Sequence, residues 1–178
     1  MKEKHKEVVR PMKIEEQRIV YKTLYQEWGK GSSKNQFYSY CSKQEERGTR
    51  YVLINSKNKI VSSMLLIPLS NSSMSTSSKL YGISSVCTHC DYRNFGYAQT
   101  LLTTVISNLQ HTQHSSSFLL YADISPSYYL RLGFKEMPQH LQRYSSTIFM
   151  VKSDSKTYQE LYFHPREKMP TINFSQWL

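Results

Sequence analysis

The chain has 178 residues, 39% of them hydrophobic and 20% charged, with a net charge of +10. That is the size of one domain with enough apolar content for a core, so wholesale disorder is excluded. The longest apolar run, Met64–Leu69, falls far short of the roughly 18 residues of a membrane-spanning helix. Three cysteines make no disulfide scaffold, and the charged start, Met1–Lys13, does not read as a secretory signal. We therefore expect a cytoplasmic protein with reduced thiols.

The first element in chain order is a helix over Ile14 to Gly29, where Val20, Leu24 and Trp28 recur at i, i+4, i+8. Gly29 and Gly31 stop it. A polar stretch follows to Gly48, with a short helix near Phe37–Cys41. Tyr51–Asn55 and Ile60–Pro68 read as a hairpin across Ser56-Lys57-Asn58-Lys59. Ser70–Lys79, mostly serine, reads as an exposed loop.

Leu80–Thr88 reads as a strand. A turn over Asp91–Ala98 leads into a helix from Gly96 to His111, whose Leu101, Leu102, Val105, Ile106 and Leu109 form one stripe. Ser117–Ala122 is an apolar strand. Ser125 is expected to supply an N-cap hydroxyl to a short helix that starts at Pro126 and ends at Gly133. Phe134–Met137 and Ser145–Lys152 read as a last strand pair. The tail from Ser153 carries Tyr158, Leu161, Tyr162, Phe163, Phe174 and Trp177, and is expected to pack on the body. The expected whole is one domain over 1–178, with a core of about 14–152 and an extension over 153–178. The order of elements gives an α/β or α+β fold built on one main sheet.

The chemistry concentrates in two segments. In Arg93-Asn94-Phe95-Gly96-Tyr97-Ala98 a glycine turn opens a helix. Unpaired N–H groups and the helix dipole favour an anion at such an end. Gly96 admits close backbone approach, Arg93 adds a cation, and Ala98 keeps the helix start small. The three glycines of a dinucleotide fingerprint and the Gly-Lys-Ser/Thr of a P-loop are missing. About thirty residues on stands Tyr129-Leu130-Arg131-Leu132-Gly133-Phe134.

Together the two segments resemble the GNAT superfamily of acyl-CoA N-acyltransferases. Its pyrophosphate loop is Gln/Arg-x-x-Gly-x-Gly/Ala after the fourth strand, and Tyr-x-x-x-Gly-Phe follows its fifth. The resemblance is specific over Tyr81–Met137 and fits in layout over Ile14–Lys152. In two places the chain departs from the pattern: Asn94 stands where many members have Gly, and Cys90 where many have Pro.

The resemblance implies a mixed, mainly antiparallel central sheet with helices on both faces and splayed fourth and fifth strands. It implies acetyl-CoA or another acyl-CoA as donor; no metal is expected. The pantetheine arm would pair with the backbone of Val86, Cys87 and Thr88, and an N–H at Thr88 or its neighbour would polarise the thioester carbonyl. The pyrophosphate would rest on Arg93, Asn94, Phe95, Gly96, Tyr97 and Ala98, with Ser125 also on the cofactor side. Tyr129 matches the general acid that returns a proton to the leaving thiolate.

The base is less defined, because Leu80–Cys87 has no carboxylate. Asp123 is a tentative base or relay, with a capping role as its alternative. Glu45 or Glu46 could face an amine, and His89 could relay a proton. Cys87-x-x-Cys90 is far short of four zinc ligands.

The expected reaction is direct attack of a primary amine on acetyl-CoA, with a small molecule or amino acid as acceptor. A non-catalytic CoA-binding sensor or scaffold, whose basic surface contacts nucleic acid or a protein, is the alternative. With no nucleic-acid module recognisable, nucleic acid is not the favoured partner, and no membrane role is expected. The aromatic tail offers a surface for a homodimer or for folding over the acceptor.

Overall fold

The structure, a computed structural model, describes residues 6–70, 78–113 and 115–163. Residues 71–77 of the expected serine loop, and Phe174 and Trp177 of the tail, lie outside them. Seven strands form one sheet in the order β1-β2-β3-β4-β5-β7-β6. They are β1 Val8–Pro11, β2 Thr49–Ile54, β3 Ile60–Leu69, β4 Lys79–Thr88, β5 Ser116–Ala122, β6 Lys135–Glu136 and β7 Ile148–Lys152. The helices are α1 Gln17–Trp28, α2 Lys34–Glu45, α3 Tyr97–Thr112, α4 Pro126–Leu130 and α5 Ser155–Phe163. The pairs β1·β2, β2·β3, β5·β7 and β6·β7 are antiparallel, whereas β4·β5 is parallel. The chain divides into two compact units. Among the described residues, one carries 6–66 with Ser85–Val105, the other Ile67–Ser84 and 106–163.

In the first unit α1 follows a 3-10 turn, Ile14–Glu16, instead of starting at Ile14. Glu16 draws the chain into that turn: its carboxylate accepts from the Lys13 amide at 2.8 Å and from Arg10 Nη2 at 2.5 Å. α2 is a full helix, longer than the short one expected. Ser33 and Gln36 form a capping box at its start, with the Gln36 amide donating to Ser33 Oγ at 3.3 Å. Val20, Tyr21, Leu24, Phe37, Cys41, Val52 and Cys87 make one buried cluster beneath these helices. The β2–β3 turn closes through Asn55, whose Oδ1 accepts from the amides of Lys57 and Lys59, both at 3.0 Å. Asn58 takes the left-handed conformation there, φ 57°, which a short polar side chain tolerates.

In the second unit β5 is buried at every position but Tyr121, as a strand with neighbours on both edges should be. Phe118, Leu119, Leu120, Met150 and Val151 form its core with Phe134 and Leu161. Thr157 and Leu161 are the buried residues of α5. The Asp154 carboxylate starts α5 by accepting from the Thr157 amide at 2.9 Å.

The strand β4 belongs to both units and changes character along its length. Its first half, Leu80–Ile83, is buried without alternation. It pairs with β5 from Lys79↔Ser116 to Gly82↔Leu119, and the register ends there although β4 runs on to Thr88. Ser85 then takes φ 49°. A non-glycine residue in the left-handed region inside a strand breaks the pleat as a bulge does and re-aims the amides that follow. This is the splay of the fourth and fifth strands.

Candidate active site

The residues singled out from the sequence fall into two groups, one in each unit. The first comprises the end of β4 and the loop into α3. Val86 and Thr88 are half-buried and Cys87 is buried. On the β3 side this stretch is held firmly. Ser62 Oγ donates to the Cys87 carbonyl at 3.0 Å and lies 3.0 Å from Thr88 Oγ1. The His89 amide donates to Val61 O at 3.0 Å.

A 3-10 turn, Cys90–Tyr92, leads out of the strand and is capped by His89, whose Nδ1 accepts from the Asp91 amide at 3.3 Å. His89, Cys90 and Asp91 bring their ligand-type atoms within 4.8 Å of one another. That proximity is the geometry of the cap itself.

Beyond the turn, Asn94 has φ 66° and Gly96 φ 79°. The departure at Asn94 thus has a physical resolution. The position requires the left-handed region, and asparagine is one of the few other residues that visit it readily. At Gly96 a Cβ would meet no atom within 4 Å apart from those of its two chain neighbours. Glycine is needed there for its backbone angle, and the space above it is open. The first α3 bond runs from the Thr100 amide to Gly96 O at 2.9 Å. The amides of the helix's opening turn therefore have no carbonyl of their own helix to meet. Asn94 and Phe95 are exposed, and Tyr97 and Ala98 are half-buried.

Arg93 is tied within its own unit. Its Nε donates to Thr88 O at 3.2 Å and its Nη2 to Glu27 of α1. The bond to Glu27 is the main cause that raises the guanidinium's pKa above its ordinary value. Arg93 thereby ties the end of β4 to the loop, and the charge it brings is already matched by a carboxylate. Glu27 was not legible as a partner, being 66 residues away in sequence.

The same unit explains Glu45. It does not stand free for an amine: its Oε1 accepts from Arg50 Nε at 2.5 Å, and the Arg50 side chain is only 1% exposed. Among the described residues Arg50 Nη1 is buried with no hydrogen-bond partner. Burial is the first cause that raises the pKa of the Tyr21 phenol, and it pushes the Cys41 thiol up to about 12. Glu46 follows at the C-cap of α2 and is exposed.

The second group lies around α4. Tyr129 is buried, with its ring edge-on to Phe134 at 5.9 Å and to Tyr128 at 5.1 Å. Its phenol pKa is raised, first by burial and then by the negative charge of Asp123. Asp123 itself is exposed. Ser125 does sit at the N-cap, but its hydroxyl makes no cap bond. It faces Ser127 Oγ at 2.8 Å, and the Ser125 carbonyl accepts from Tyr128 N at 3.0 Å. The expected capping hydroxyl is corrected on this point: in so short a helix the neighbouring serine takes the bond.

The spacing Tyr-x-x-x-Gly-Phe is a helix stop. The Phe134 amide donates to Tyr129 O at 3.1 Å and the Gly133 amide to Leu130 O at 3.0 Å, with Gly133 at φ 84°. These are the two crossed bonds of a Schellman motif, and the Tyr129–Phe134 contact is the apolar contact that accompanies it. The stop fixes Tyr129 by its backbone on one side and its ring on the other.

An acetyltransferase (GNAT) domain matches residues 8–137. No curated protein sequence matches the chain. Solved structures of the same fold do. The GNAT family N-acetyltransferase YhbS of Escherichia coli, solved in complex with CoA, is 15% identical over 83% of this chain and 81% of its own, with a TM-score of 0.62. A structure from Corynebacterium glutamicum, described as histone acetyltransferase HPA2 and related acetyltransferase, is 16% identical over 83% and 96%, with a TM-score of 0.63. A GNAT family acetyltransferase of Brucella melitensis, in complex with acetyl-CoA, is 14% identical over 84% and 89%, at 0.58. Among the described residues no helix is long and apolar enough to cross a membrane.

Proposed function

The chain belongs to the GNAT acetyltransferase family of acyl-CoA N-acyltransferases, and from that premise we propose that it transfers an acetyl group from acetyl-CoA to the primary amine of a small molecule or amino acid. The observation that supports this best is the loop from Arg93 to Ala98. Two left-handed positions either side of Phe95, Asn94 and Gly96, turn the chain so that α3 begins with open amides beneath unfilled space. A pyrophosphate is the part of the donor that such a cradle suits. Two of the three structural relatives named above carry CoA or acetyl-CoA.

In this reading the pantetheine arm runs along Val86, Cys87 and Thr88, on the stretch of β4 beyond its pairing with β5. The kink at Ser85 turns an amide of Val86–Thr88 toward the thioester carbonyl, where a preorganised donor lowers the barrier as charge develops on oxygen. Ser62 and the His89–Val61 bond hold this stretch in place while that happens.

The amine attacks the thioester carbon and the C–S bond breaks. The nitrogen gives up a proton and the sulfur takes one. Tyr129 is the proposed acid. Its raised pKa keeps the phenol protonated at neutral pH, as a donor must be, and geometry has to supply the rest. Asp123, exposed to solvent, is the proposed acceptor or relay for the amine proton. At an ordinary pKa near 10.4 only about one lysine-like amine in a thousand is neutral at pH 7, so such a relay matters.

The test is calorimetric titration of acetyl-CoA, followed by thiol release across a panel of amines, amino acids and peptides. Micromolar binding with turnover of small amines is expected. Binding without turnover of any amine would reject the acceptor assignment. No binding by folded protein would reject the donor.

A further inference from the structure

The loop from Arg93 to Ala98 carries a feature that phosphate binding does not use. Phe95 is 69% exposed, on a loop whose backbone is already bent tightly around Gly96. Its ring touches that of Tyr97, with centroids 6.0 Å apart and planes 31° from parallel. The two rings flank Gly96, above which there is open space. An exposed phenylalanine held against a second ring is a flat apolar face offered to solvent.

The charge on the loop points the same way. Arg93 is matched by Glu27, so the loop presents amide dipoles and an aromatic face more than a free cation. A ligand that suits both has an anion and a flat ring system close together, which is the chemistry of a nucleoside diphosphate.

We propose that the Phe95 ring, backed by Tyr97, is the platform on which the adenine of the donor stacks. This rests on the donor reading above. In it the backbone of the loop grips the pyrophosphate and the Phe95 side chain grips the base. Stacking on one aromatic face is indifferent to the hydrogen-bonding edge of the base, so the platform contributes affinity and little base selectivity.

The test titrates CoA and 4′-phosphopantetheine, which keeps the thiol arm and lacks the adenosine, into the wild type, Phe95→Ala and Phe95→Trp. The wild type should bind CoA at least about tenfold more tightly than phosphopantetheine, and Phe95→Ala should remove about that factor, the order of one base–aromatic stack. Phosphopantetheine affinity should stay within about twofold in both variants. Phe95→Trp should restore CoA affinity, with its indole fluorescence quenched by CoA and not by phosphopantetheine. Equal CoA affinity in the wild type and Phe95→Ala overturns the platform and leaves the donor reading standing. Failure of the wild type to bind either ligand overturns both.

Discussion

Gly96 and Gly133 share a conformation, φ 79° and φ 84°, and serve opposite ends. Around Gly96 no atom beyond its chain neighbours lies within 4 Å of a Cβ, whereas at Gly133 Lys152 Nζ stands 2.8 Å away. Lys152 is held there by its bond to Leu132 O at 2.6 Å. Around Gly133 the backbone closes on itself through two crossed hydrogen bonds and a ring contact. Around Gly96 the amides are left open. One glycine makes room for something outside the protein, and the other locks a side chain, Tyr129, in place. Two glycines of one family signature thus separate into binding and scaffolding roles.

Gly96→Glu tests the open end most severely. It places a negative charge at the proposed anion cradle, so acetyl-CoA affinity should fall by about 100-fold or more. The melting temperature should drop by only a few degrees. Unchanged affinity in calorimetry would mean the loop does not hold the donor.

Tyr129→Phe keeps the Schellman bonds and the ring contact and removes the phenol. A fall in kcat of about 100-fold is expected, in the range of general acid catalysis, with acetyl-CoA affinity unchanged. Because burial and Asp123 raise the phenol's pKa, kcat of the wild type should show no loss from phenol ionisation up to about pH 10. A variant as fast as the wild type would leave Tyr129 a scaffold residue only.

Gly133→Ala should cost stability and leave the donor alone. The left-handed backbone penalises an L side chain by roughly 1–2 kcal/mol, and Lys152 must also give way. Urea unfolding should show the loss, and calorimetry should show unchanged acetyl-CoA affinity. A matching loss of affinity would erase the distinction between the two glycines.

Alkaline unfolding reads the buried groups. The Cys41 thiol is pushed from 9.0 to about 12 in the folded protein, and the phenols of Tyr21 and Tyr129 are also raised. Raised groups stabilise fully below their unfolded pKa, and that stabilisation is lost as pH climbs toward the folded value. Urea midpoints should hold to about pH 9 and fall above it. A midpoint that rose through this range would contradict the burial of Cys41.

The smallest effect belongs to Asn94→Gly. Asparagine already tolerates φ 66°, so the change should be within about 1 kcal/mol of neutral and leave donor affinity intact. A large loss would show that the Asn94 side chain, and not its backbone angle, matters.

The sequence by itself determined the two signatures and the helix between them. These depend on local residue order, which backbone sterics read directly. It also predicted the α3 stripe, where Leu101, Leu102, Val105 and Ile106 are buried and Leu109 is half-buried. It missed β1, because Val8–Pro11 is short, partly exposed and flanked by charge, and so has no periodicity to detect. It understated α2, whose twelve residues are mostly polar and whose only buried side chains are Phe37 and Cys41.

Only the tertiary structure decided the pairings. Arg50 in a strand reads as a solvent-facing charge until α2 brings Glu45 over it. Arg93 reads as a free cation until α1 brings Glu27. Periodicity says which face of an element is apolar. It does not say which charge stands opposite, because a partner 66 residues away leaves no local pattern.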